Sequence, residues 1–338
     1  MTARRTFLAL AGVMAAPAIL RAQGSLTPLR FTLDWALQGN HGMWTLADER
    51  GLFRQNGLSV RIDRGFGSGD TAVKVATGAY DLGFTDISTA VKFNAENPSQ
   101  RLVSIYQVFD RTAAALVTLK GRGIDKPGDV VGRLVGAPEG EGSRVLFPVF
   151  ARAAGIDASR VRWSGMAPNL RDTMLAQRQV DAVTGFLFTT YFNLVAMGVP
   201  ESDILAWPYA ENGLDICGSA IVARADWLER NGPQAAAFVR ASMAGLQLLI
   251  AEPEAGMQSL LKREPLFDVA LEKRRWEMTR DRSILTPNVR RDGLGSLEPA
   301  RAELLISASA EAFGIANPPS ADSMFTQRYL PPMAERRV

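Results

Sequence analysis

The sequence predicts an α/β protein of two lobes, on three observations. Short apolar runs of strand length alternate with runs whose apolar residues recur at helical spacing. That alternation occurs twice, over residues 29–86 and again over 114–186. The length of 338 residues also exceeds what one hydrophobic core usually serves, so two cores are expected.

The first unit opens with "LRFTLDW" as a strand. "GMWTLADERGLFRQN" follows as a helix ending at Gly57, and "LSVRIDRG" alternates as a second strand. "GDTAVKVATGAY" reads as a helix with Gly69 and Asp70 at its start, and "DLGFTD" as a third strand. A βαβαβ run of this kind implies parallel strands joined by right-handed crossovers. In the second unit "AALVTLK" is a strand, and "KPGDVVGRLVGAP" gives a short helix and another strand. "SRVLFPVFARAAGI" is a helix, "VRWSGM" a strand, "LRDTMLAQRQ" a helix and "VDAVTGF" a strand. Beyond "GLDICGSAIVARADWLERN" the chain is mainly helical to about residue 314. The expected division is 23–112 for the first part of lobe one, 113–215 for lobe two, and 216–338 for the return to lobe one. The crossings are expected near 111–116 and 212–220.

Composition narrows the function classes. Hydrophobic residues make up 47% and charged residues 22%, ordinary for a globular protein with a sizeable core. The net charge is +3, but Arg4, Arg5 and Arg21 carry it, and the remainder holds 35 basic and 35 acidic side chains. No nucleic-acid footprint follows from that balance. Arg4 and Arg5 precede an apolar run from Phe7 to Leu20, a charged segment followed by a stretch too short to span a bilayer. "RRTFL" resembles a twin-arginine export signal, so residues 1–22 are expected to be a signal peptide, cleaved near Ala22. Charge interrupts later apolar stretches such as "AAFVRASMAGLQLLIAEP", so none is expected to span a membrane. A single cysteine, Cys217, excludes an intrachain disulfide, and one cysteine with one histidine cannot build the common zinc sites. The expectation is an exported protein without a cofactor or metal.

In open parallel sheets, ligands gather beyond the carboxyl ends of the strands. Those ends are Asp34–Trp35, 65–70, Asp86–Ser88, Asp110–Arg111, 138–144, 166–169 and 185–191, rich in glycine, small hydroxyls and aromatics. Facing lobes would bring them to one cleft. Trp35, Phe186, Phe188 and Tyr191 offer aromatic faces for a flat ring, or else two of the four belong to the core. In "GEGSRVLF", Gly142, Ser143 and Arg144 open a helix that favours an acceptor group; Ser143 as a plain N-cap fits equally. Ser68, in "GFGSGD", has the same two readings. Asp86 and Asp215 could accept from ring or exocyclic N–H groups, or cap turns. Ser88, Arg111 and Asn169 are further strand-end contacts. Asn40 and His41 follow the first strand, and His41 is the only histidine. It suits a general base, a metal ligand or a hydrogen-bonding pocket wall. No "GxSxG" elbow accompanies it, and ligand contact is the preferred role.

Beyond these readings, "LDWALQGNHGMWTLADERGLFRQNGLSVRI" resembles the opening of substrate-binding proteins of the thiamine-pyrimidine-precursor and nitrate/sulfonate/taurine group. "ATGAYDLGFTDISTA", "VTLKGRGIDKPGDVVGRLVGAPEGEGSRVLF" and "APNLRDTMLAQRQVDAVTGF" continue the likeness, which covers about residues 28–315. It implies a two-lobed type II periplasmic-binding-protein fold with the ligand cleft between the lobes. It also implies a monomer in the periplasm that delivers a small molecule to an ABC permease and its ATPase in the inner membrane. The "LDW…NH" segment is most like the branch that binds aromatic ligands, which puts Trp35 and His41 at the ring, with Asp86, Ser143 and Tyr191 around it. "ALQG" departs from that branch, so an organic anion stays open as ligand. A fungal thiamine-pyrimidine synthase shares the motif, but carries a cysteine-rich iron-associated segment that this chain lacks. A ligand sensor for a membrane partner is the other alternative.

Overall fold

The computed structural model describes residues 25–338, so the proposed export signal lies outside the described residues. In the first unit the elements are β1 (Thr27–Thr32), α1 (Gly42–Glu49), α2 (Leu52–Gln55), β2 (Leu58–Asp63), α3 (Ser68–Ala76), β3 (Leu82–Asp86), α4 (Ile87–Glu96) and β4 (Leu102–Gln107). The second unit holds β5 (Ala114–Leu119), β6 (Leu134–Gly136), α5 (Gly142–Ala153), β7 (Arg162–Ser164), α6 (Arg171–Ala176), β8 (Ala182–Phe186), α7 (Leu187–Ala196) and β9 (Ile204–Pro208). The chain then returns through β10 (Ser219–Arg224) to α8 (Ala225–Arg230), α9 (Gly232–Ala251), α10 (Pro253–Leu261), α11 (Val269–Thr279), α12 (Pro287–Asp292), α13 (Pro299–Phe313) and α14 (Ala321–Met324).

Two five-stranded sheets result, ordered β2-β1-β3-β10-β4 and β7-β6-β8-β5-β9. In the first, β1 runs parallel to β2 and β3, as the βαβαβ pattern predicts. In the second, β6 is parallel to β7 and β8. The fourth strand of each sheet runs the other way: β10 is antiparallel to β3 and β4, and β5 to β8 and β9. The order is the same in both sheets, and each antiparallel strand arrives from the other lobe. This is the two-lobed architecture the sequence predicts.

Local differences have local causes. The helix expected across residues 42–56 breaks into α1 and α2 because Gly51 takes a positive φ of 71°, which ends the first helix. Strands β4 and β9 escape the alternation reading because all of β4 is buried and shows no period of two. The 20-residue helix α9 is long and apolar enough, by composition, to cross a membrane. Its Phe238, Val239, Leu246 and Leu249 are instead buried, and it packs along α1 as a core helix.

The lobe-one core centres on Trp44 of α1. Its ring sits 5.1 Å from Phe31 and 4.8 Å from Phe84, and its indole N–H donates to Ser242 Oγ at 3.2 Å. The tryptophan thus joins the sheet to α9 with its one polar atom satisfied. The crossings lie side by side: Thr112 N–H donates to Ile216 O at 2.8 Å, and Gly218 N–H to Phe109 O at 2.9 Å. Cys217 is buried there, and burial pushes its thiol up to about 12, so it is an inert core residue. Trp44→Ala should lower stability by about 3–5 kcal/mol through cavity formation. Urea denaturation would show this as a lower midpoint at unchanged slope.

Candidate functional site

Between the sheets lies a narrow, partly open pocket of about 10 Å³, lined by Asp34, Trp35, Gly67 and Ser68 from lobe one and Glu141, Gly142, Arg171, Phe186 and Thr189 from lobe two. The strand-end rule therefore locates the cleft. Of the residues singled out in the sequence, Trp35, Ser68, Gly142 and Phe186 line it.

The lobe-one wall is a turn held by backbone. Gly65 N–H donates to Trp35 O at 2.9 Å, and Gly67 N–H to Asp34 O at 2.8 Å. Gly67 has φ of 125°, a conformation that side-chain-bearing residues rarely adopt, and a Cβ on Gly65 would lie 2.0 Å from Leu33 O. Glycine is required at both positions for Asp34 and Trp35 to face the cleft. Ser68 then starts α3, whose N-terminus has no side-chain cap.

His41 is fully buried and lies behind this wall, among the aromatic rings of Trp44 and Phe84. Its Nε2 is 3.1 Å from Asp34 Oδ1, and Nδ1 has no partner among the described residues. The geometry suits an Nε2–H tautomer donating to the carboxylate. The single histidine therefore orients Asp34 and does not line the cavity. Asn40 is buried beside it, with Oδ1 unpartnered among the described residues.

Opposite, Glu141 caps α5, accepting from Ser143 N–H at 3.1 Å and Arg144 N–H at 2.9 Å. The cap is thus Glu141 and not Ser143, whose Oγ is buried without a partner among the described residues. Arg171 is 1% exposed, and its guanidinium bonds Asp172 through Nε and Nη2 at 2.8 and 3.2 Å. Its Cζ lies 5.1 Å from the Trp35 ring centroid, a cation–π contact across the cleft. Burial would push the Asp172 carboxyl up, but Arg171 and Asn193 hold it below its ordinary value. Two further bonds close the lobes: Gly69 N–H donates to Gly140 O at 2.9 Å, and Thr189 Oγ1 to Gln38 Oε1 at 2.9 Å.

Other predicted residues sit near but not in the cavity. Asp86 caps α4 from a buried position, accepting from Ser88 N–H and Oγ–H and from Thr89 N–H. Burial pushes its carboxyl up to about 6 despite those bonds. Arg111 and Asp215 do not reach the cleft, because they pair at 3.0 and 2.7 Å and bind the two crossings together. Arg144 turns toward Ala137 O at 2.8 Å and the Trp163 ring. Asn169 is exposed on a 3-10 turn, and Tyr191 Oη donates to Glu201 at 2.7 Å on the outer side of α7. Asp34, Gly67, Glu141 and Thr189 lie within the strand-end segments, but single-residue reading passed over them. Arg171 falls just past its segment; the signal was "RD" opening a helix, where an arginine opposes the helix dipole unless an acid holds it.

With this geometry in place, comparison with known proteins is decisive at the family level. Residues 38–256 match the family described as NMT1/THI5 like. The chain belongs to that family. The match begins in the turn that leads to His41 and ends in α10, taking in both crossings. The formylaminopyrimidine-binding protein of Halalkalibacterium halodurans is 25% identical over 250 residues, spanning 70% of this chain and 71% of that protein. The fold is shared with the periplasmic aliphatic sulphonate-binding protein SsuA of Escherichia coli, at TM-score 0.68 and 16% identity over 91% of this chain and 100% of that one. The periplasmic nitrate-binding protein NrtA of Synechocystis PCC 6803 aligns at TM-score 0.62 and 13% identity, over 92% and 89% of the two chains.

Asp86 generates a pH prediction. A carboxyl raised from 3.8 to about 6 binds more protons folded than unfolded between those values, so stability falls as pH rises through that window. Asp86→Asn, which retains the capping oxygen, should remove this slope and be more stable than wild type at pH 8 by roughly 1–3 kcal/mol. Melting curves from pH 4 to pH 8 would check it; a wild-type slope in the variant would contradict the assignment.

Proposed function

We propose that the chain is the exported solute-binding component of an ABC importer, closing over a small heteroaromatic molecule and performing no chemistry. Lobe one is then 23–112 with 216–338, lobe two is 113–215, and residues 1–22 are the export signal. The observation that carries the ligand class is the Asp34 carboxylate, oriented by His41, beside Trp35 in an interlobe cavity. A ring with N–H donors would satisfy Asp34 and Glu141, while Trp35 and Phe186 supply aromatic surface. The uncapped N-termini of α3 and α7 leave N–H groups for the ring's acceptor atoms. A bare organic anion would face two carboxylates, with Arg171 already committed to Asp172 on two of its nitrogens. The formylaminopyrimidine-binding relative fits the same class. The permease and ATPase of the importer are the partners this reading requires.

A synthase reading has less support. His41 meets a carboxylate and aromatic rings, and the Cys217 thiol lies at the crossings, away from the cavity lining.

A thermal-shift screen of residues 23–338 should single out aminopyrimidine-like rings over sulfonates and nitrate. A ligand at 100 times its dissociation constant adds about 2.7 kcal/mol. Trp35→Ala and Asp34→Asn should each weaken binding by roughly 1–3 kcal/mol, read by calorimetry. Stabilisation by sulfonates alone, or full affinity in both variants, would overturn the ligand class.

A further inference from the structure

Helix α11 packs on α10 and on the 39–41 turn of lobe one, yet its other face lies against α7 of lobe two. Arg275 stands at that junction, buried, and uses its whole guanidinium. Nε donates to Glu272 Oε2 at 2.8 Å; Nη1 donates to the carbonyls of Phe188 and Thr189 at 2.9 and 3.0 Å; Nη2 donates to Asn193 Oδ1 at 3.0 Å. Glu272 Oε2 also accepts from Gly39 N–H at 2.7 Å. A Cβ on Gly39 would lie 2.2 Å from Glu272 O, so the turn carrying Asn40 and His41 is fixed against α11.

The bonds continue into the cleft. Asn193 Nδ2 donates to Asp172 Oδ2 at 2.6 Å, Asp172 holds Arg171 through two bonds, and Arg171 meets the Trp35 ring. One amide therefore links the arginine that joins the lobes to the arginine that lines the cavity. We propose that Arg275 is an interlobe latch: a positioning residue that holds the closed state and, through Asn193 and Asp172, sets Arg171 against Trp35. Opening would take the guanidinium from the α7 carbonyls and leave Glu272 its sole partner. A buried charge that loses hydrogen bonds is costly, so the closed state gains from this contact even without ligand. Lysine cannot replace it, since one ammonium cannot reach the carbonyls, Asn193 and Glu272 as a planar fork does.

The test uses distances between spin labels at Ser59→Cys and Gln177→Cys, one exposed site on each lobe, with the buried Cys217 left unlabelled. In ligand-free protein, Arg275→Met with Glu272→Gln should shift the distribution toward the open separation, and Asn193→Leu, which removes one of the three α7 acceptors, should shift it less. With an aminopyrimidine as the probe, release should be faster on the order of tenfold in the double variant, with Asn193→Leu intermediate. Arg275→Lys should behave like the loss. The release arm rests on the proposed binding function; the distance arm does not, so its failure would speak against the latch alone. Unchanged distances in a double variant that melts normally would overturn the latch, as would wild-type behaviour of Arg275→Lys. If the double variant does not fold, Arg275→Gln in the same distance measurement decides between the same two outcomes.

Discussion

The exchange of one strand between the two sheets is the constraint on which the rest of the structure depends. The edge strand β4 leaves lobe one and continues as β5, the fourth strand of the other sheet; β9 leaves lobe two and continues as β10, the fourth strand of the first. Both strands run against their neighbours and are buried, so neither crossing can be withdrawn without opening a sheet. The two connections bond to each other through backbone and through Arg111 and Asp215. Two short antiparallel connections of this kind leave bending as the soft motion between otherwise rigid lobes.

That topology points the carboxyl ends of β1, β3, β6 and β8 toward a common seam and sets the helices α3, α4, α5 and α7 to begin there. The seam is close-fitting because glycines meet across it: a Cβ on Gly69 would lie 3.2 Å from Gly140 Cα, and one on Gly142 would lie 3.0 Å from Ser68 Oγ. Backbone contact at that range lets an N–H of one lobe bond a carbonyl of the other. It also narrows the space between the lobes to about 10 Å³.

Polar and charged groups inside the seam are arranged in pairs. His41 answers Asp34, Asp172 answers Arg171, Glu272 answers Arg275, and the two carboxylates that cap helices take backbone N–H groups instead. Such pairs are weak sources of net stability, because desolvation offsets most of their attraction. Their consequence is geometric. Each holds a wall of the cleft, the Asp34–Trp35 turn or the Arg171 face, at a fixed place in an otherwise apolar interior.

The sequence by itself determined the fold class, the two-lobe division, the parallel strands and the segments that form the cleft, because hydrophobic periodicity and turn chemistry are local. The motifs around "LDW…NH" likewise pointed to the family that residues 38–256 match. Tertiary structure alone decided which residues within those segments face the cleft between the lobes. His41, the most conspicuous residue in the sequence, lies behind Asp34; Arg111 and Asp215 serve the crossings; Tyr191 faces Glu201 on the outside of α7. Arg171 and Arg275 owe their places to partners 82 to 87 residues or one residue away, and to rings and carbonyls on the opposite lobe. Side-chain direction on a helix's first turn, and contact between lobes, depend on how distant elements pack, and no local pattern carries that information.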